Sequence, residues 1–101
     1  VAFVPDLMDR SKVSAAAPHV VFVASAAALV AAVAGDGADL VVVDLSRSGV
    51  LDALRALPAG VPSIGFGSHV DTELLAAAAA AGCGTVLPRS RFFTRLAALL
   101  A

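Results

Sequence analysis

Four consecutive apolar residues, Leu40-Val41-Val42-Val43, run straight into Asp44. A β-branched run without polar alternation predicts a strand covered on both faces, the habit of a parallel sheet packed between helices. In open sheets of that kind, ligands gather outside the carboxyl ends of the strands. Asp44 stands at that edge. An aspartate there also serves as a loop or helix-capping residue, so its companions decide between the two roles.

The remaining apolar runs alternate with helix-like segments. Val1 to Val4 reads as a first strand, followed by a helix that Asp6 caps and that extends to about Ala17, before Pro18. Val20 to Val23 reads as a second strand, and Ser25 opens an alanine-rich helix that stops at Gly35-Asp36-Gly37. After the third strand, Val50, Leu51, Leu54 and Leu57 recur at helical spacing from Ser48 until Pro58 and Gly60. Val61 to Phe66 is the fourth strand, and Asp71 caps a helix from Thr72 to Ala81. Thr85 to Leu87 is the fifth strand, and Ser90 caps a closing helix with Phe92, Phe93, Leu96, Leu99 and Leu100 on its apolar face. Repeated βα units joined by right-handed crossovers predict one α/β domain over residues 1–101: an open, parallel, five-stranded sheet with helices on both faces.

Composition narrows the function. Apolar residues make up 59% and charged residues 15% of the 101, which excludes a disordered chain. A net charge of −1, no basic stripe and no tryptophan or tyrosine argue against direct nucleic-acid binding. The uncharged stretch from Val13 to Gly35 has the length of a membrane span, but Pro18-His19 interrupts it, and helix, strand and helix explain it better. No leader or lipidation pattern is visible, so a soluble cytoplasmic protein without membrane attachment is expected. The lone Cys83, between Gly82 and Gly84, reads as a buried and inert thiol.

Three segments in order carry a resemblance that spans the whole chain. Ala38-Asp39-Leu40-Val41-Val42-Val43-Asp44-Leu45 is similar to the third strand and phospho-accepting aspartate of the receiver domains of bacterial two-component response regulators. Val61-Pro62-Ser63-Ile64 resembles the start of their fourth strand, and Ala81-Gly82-Cys83-Gly84-Thr85-Val86-Leu87-Pro88-Arg89-Ser90 the run that normally ends in the active-site lysine. The resemblance implies a receiver-like, flavodoxin-like (βα)5 sheet with strand order 2-1-3-4-5. It makes Asp44 the candidate phospho-acceptor, Asp6 with Asp44 the candidate ligands of Mg²⁺, and Gly67, Ser68 and Arg89 the candidate phosphate or switch residues. Hard carboxylate oxygens suit Mg²⁺, and cationic and hydroxyl groups balance an arriving phosphoryl group.

The chain departs from the pattern. Pro5 stands where the first of two paired acids is expected, and Gly67 stands where the hydroxyl residue is expected, with Ser68 one position later. Arg89 replaces the lysine, and Leu45-Ser46-Arg47 replaces the segment in which a proline often follows the acceptor. Asp6 also suits a helix N-terminus, with Asp9 three residues on. Arg89 either serves as a substitute cation or pairs with Asp44 and closes the site; a planar guanidinium is no isostere of an ammonium.

The expected function is therefore an atypical, stand-alone receiver-like module that is no enzyme and acts by protein–protein contact, with Asp44 phosphorylated weakly or not at all and Mg²⁺ bound weakly. The alternatives are a working Mg²⁺-dependent phosphoreceiver in a two-component relay and a small-ligand-binding or hydrolytic α/β domain using Ser68-His69. The expected partner is a histidine kinase or another signalling protein. A homodimer through the last helix-strand-helix face, around Ala76 to Ala81, fits the same resemblance. Nucleotide binding is disfavoured, since Gly35-Asp36-Gly37 precedes a strand and Gly65-Phe66-Gly67 lacks a third glycine.

Overall fold

Burial of the valine run organises the molecule. In the computed structural model, which describes residues 1–101, Val41–Asp44 forms a strand with every residue buried. It lies between two parallel neighbours in a four-stranded sheet of order β1-β2-β3-β4, with β1 Ala2–Phe3, β2 Val41–Asp44, β3 Ser63–Gly67 and β4 Thr85–Pro88. Six helices complete the chain: α1 Leu7–Ala16, α2 Ala26–Asp36, α3 Val50–Ala56, α4 Thr72–Ala80, α5 Arg89–Thr94 and α6 Leu96–Leu100.

Side chains alternate across the sheet and divide the core in two. Phe3, Val41 and Val43 pack with Leu29 and Val33 of α2, Leu54 of α3 and Ala78 of α4. Ala2, Val4, Val42, Ile64 and Phe66 face Val13 of α1, Phe92 of α5 and Leu96 of α6. The alternation places Asp44 on the same face as Val42, toward α1 and α5. At Gly65 a Cβ would stand 2.7 Å from Leu45 Cδ2, so the absence of a side chain there lets Leu45 fold down onto the sheet.

The expected five-stranded sheet of order 2-1-3-4-5 does not form. Val20 to Val23 makes one parallel bridge, Ala2 to Phe22, with Ala2 N–H donating to Val21 O and Val23 N–H donating to Ala2 O. Two features limit it. The neighbouring strand β1 is only two residues long, and the Val20 N–H is taken by Ala17 O in the turn after α1. Val21 is left 59% exposed at this edge. The closing helix also differs. It starts at Arg89 after Pro88 and breaks at Arg95 into α5 and α6, with Ser90 inside it and not capping it. The caps at Asp6, Ser25 and Asp71 form as their sequence positions predict, each side chain accepting a backbone N–H.

Cys83 is buried, its thiol donates to Thr85 O, and burial pushes its pKa up, as befits an inert thiol. No helix is long and apolar enough to cross a membrane.

Candidate functional site

The carboxyl ends of the strands carry the polar residues singled out above. Asp44 ends β2 in register with Phe66, and Gly67 of β3 is in register with Pro88, immediately before Arg89. Asp6 follows β1 by three residues and caps α1. Parallel strands in this register bring residues far apart in sequence to one rim.

At the rim each group already has a partner. Asp44 is buried, and its Oδ1 accepts from Ser46 N–H at 3.0 Å and from Ser46 Oγ at 2.7 Å. Its Oδ2 accepts from Arg47 Nε at 3.2 Å. The loop after β2 thus folds back over its own aspartate in a local Asp-to-backbone turn. Asp6 is exposed and accepts from Asp9 N–H at 2.9 Å. That backbone bond, with smaller help from Met8 N–H and the charges of Arg89 and Arg47, holds its carboxyl below the ordinary value despite some opposing desolvation.

Arg89 does not pair with Asp44. Its Nη2 donates to Oδ1 of Asp9, a side chain only 2% exposed. The guanidinium sits over the rings of Phe66, at 5.7 Å, and Phe93, at 5.0 Å. Its pKa is raised, first by the Asp9 hydrogen bond and further by the charges of Asp9, Asp44 and Asp6. Asp6, Asp9, Asp44, Arg47 and Arg89 therefore share one electrostatic neighbourhood. Asp9 Oδ2 is buried without a hydrogen-bond partner.

Gly67 ends β3 and is buried, and Ser68 beyond it is exposed. The Ser68 hydroxyl accepts from Val70 N–H at 3.4 Å, and its carbonyl accepts from Asp71 N–H at 3.1 Å, so it organises its own loop. His69 is exposed next to it. None of the four surface cavities is lined by Asp44, Ser68 or His69. The nearest, an open groove of about 530 Å³, lies beyond the β2–α3 loop against Arg47, Ser48, Asp52, Arg55 and Asp71. His19 lines a cavity with Val1, Ala38 and Leu40, which precede β1 and β2, at the opposite edge of the sheet.

The residues present fit a resident Mg²⁺ poorly. A hexacoordinate hard cation needs several converging oxygens; here Pro5 contributes none, an Asp6 oxygen caps α1, and both Asp44 oxygens accept from protein donors. No three acidic, histidine or cysteine side chains gather as a metal-binding group.

Sequence reasoning missed two features. Asp9 was read only as a helix N-terminal acid, although its i, i+4 relation to the buried Val13 places it on the inner face of α1. Ser46 and Arg47 were read only as departures from a pattern, although Asp-x-Ser-Arg after a strand is a sound signal for a carboxylate satisfied within its own turn.

The exposed cap at Asp6 makes a testable pH dependence. Its folded pKa lies below the ordinary value of 3.8, so its stabilising effect is present above that value and lost as pH falls through the folded one. Asp6→Ala is expected to melt at lower temperature than the wild type near neutral pH. The gap should close on acidification below pH 3.8, as followed by circular dichroism; a pH-independent gap would show that the cap's charge is irrelevant.

No family model, curated protein or solved structure matches this chain.

Proposed function

We propose that the chain is an atypical receiver-like signalling module that works by contact with another protein, a histidine kinase or other signalling component, with Asp44 phosphorylated weakly or not at all. One observation carries this reading: the acceptor-like carboxylate and the rim cation are each occupied by a neighbour, Asp44 by Ser46 and Arg47, and Arg89 by Asp9. The substitution of Pro5 for an acid and the poor donor set for Mg²⁺ support it. Such a module would act in the cytoplasm and without catalysis of its own. Its association face would be α4, β4 and α5, where Ala76, Ala79 and Ala80 lie exposed while Ala78 packs inward.

A second reading, a working Mg²⁺-dependent phosphoreceiver, draws support from the guanidinium of Arg89, which is 47% exposed and makes a single hydrogen bond, leaving donors free near Asp44. Incubation with Mg²⁺ and acetyl phosphate, or with beryllofluoride, separates the two. Intact mass and amide spectra should remain unchanged. An adduct on Asp44 that disappears in Asp44→Asn would establish the second reading in place of the first.

A further inference from the structure

The two guanidiniums closest to the rim acids each have a carboxylate partner. Asp6, Asp9 and Asp44 share the rim with Arg47 and Arg89, and Lys12 stands over the same Phe93 ring as Arg89. Arg47 is committed to Asp44 and Arg89 to Asp9. An approaching oxyanion therefore meets three carboxylates and two guanidiniums that already face carboxylates.

Asp9 is the odd member. Its side chain is 2% exposed, one oxygen is held by Arg89, and the other is buried with no partner. An unsatisfied buried carboxylate oxygen is destabilising, and an apolar side chain of similar size would fill the same space between Val13 and the sheet without that penalty. A residue this unfavourable for packing does its work through its charge, and that charge is directed at Arg89. The Arg89 guanidinium is half-exposed over Phe66, the residue in register with Asp44, so it is already placed beside the anion-accepting position.

We propose that Asp9 is a built-in competitor that occupies Arg89 and keeps the rim from binding phosphate-like oxyanions. This rests on the receiver-like reading of the rim, and it explains why the cation there is idle. Removal of the Asp9 charge would take one negative charge from the rim and free the guanidinium for a bidentate contact with a tetrahedral oxyanion.

The test is a titration of the 101-residue chain with inorganic phosphate and with sulfate, without metal, followed through the amide shifts of Asp44, Ser46, Arg47 and Arg89. Asp9→Asn is expected to bind either ion about tenfold more tightly than the wild type, the effect of removing one nearby charge at a half-exposed site. The gain should vanish in Asp9→Asn/Arg89→Gln. Equal affinity in a folded Asp9→Asn, or a gain that survives the loss of Arg89, overturns the proposal. Asp9→Leu provides a second background: if both single variants fail to fold, Asp9 serves the fold and not the rim, and the proposal falls. Because these ions do not phosphorylate Asp44, a negative result here leaves the acetyl phosphate experiment untouched, and the reverse also holds.

Discussion

Arg89→Met is expected to lower the unfolding free energy by about 2–3 kcal/mol, measured by urea denaturation with circular dichroism, since the chain has no tryptophan or tyrosine to report by fluorescence. The loss comes from Asp9, a side chain 2% exposed in the wild type that would be left with neither oxygen satisfied. Breaking a fully buried pair from one side costs roughly 3–5 kcal/mol. The smaller figure follows because Arg89 itself is 47% exposed and already screened by water. Part of the effect also comes from the contacts of the guanidinium with Phe66 and Phe93. The double variant Asp9→Leu/Arg89→Met should regain most of the loss, because no buried charge is then left alone. If Arg89→Met were as stable as the wild type, Asp9 would have another counter-group, and the rim would need a different electrostatic account.

The second large effect lies beneath that arginine. Phe66 is fully buried, stacked on Phe92 at 4.6 Å between ring centres and edge-on to Phe93 at 5.3 Å. Phe66→Ala is expected to cost about 3–5 kcal/mol, through lost burial and the cavity left beside the two remaining rings. Phe66→Leu should cost about 1.5 kcal/mol or less, since it keeps most of the volume. A near-neutral Phe66→Ala would mean that α5 does not rest on the sheet through this ring. The two predictions are linked: the ring that holds α5 in place also floors Arg89, so core packing sets the position of the rim cation.

Much of this architecture is legible along the chain. The unbroken Leu40–Val43 run ending in Asp44 gives a buried central strand and a carboxylate at its end, because a parallel strand with helices on both sides has no face for polar residues until it emerges. Asp6, Ser25 and Asp71 cap helices because a short acceptor before an apolar segment satisfies free N–H groups locally. The Val20–Val23 segment misled because β-propensity describes what fits a pleated surface, and the two-residue β1 offers too little ladder to pair with. The break at Arg95 is equally hidden, since the apolar positions of α5 and α6 read as one continuous face.

For the candidate site, local chemistry and distant pairing separate cleanly. The sequence by itself determined that acids would follow the first strand and the valine-rich strand, and that a cation would follow the last; the turn by which Ser46 and Arg47 satisfy Asp44 is local, but only the structure shows it. Only the tertiary structure decided that Arg89 goes to Asp9, eighty positions earlier, and not to Asp44. That choice depends on how α1 and α5 pack against the same face of the sheet. Ion-pair energies fall with distances of a few ångströms, and no periodicity or spacing along a chain encodes distances on that scale between its two ends.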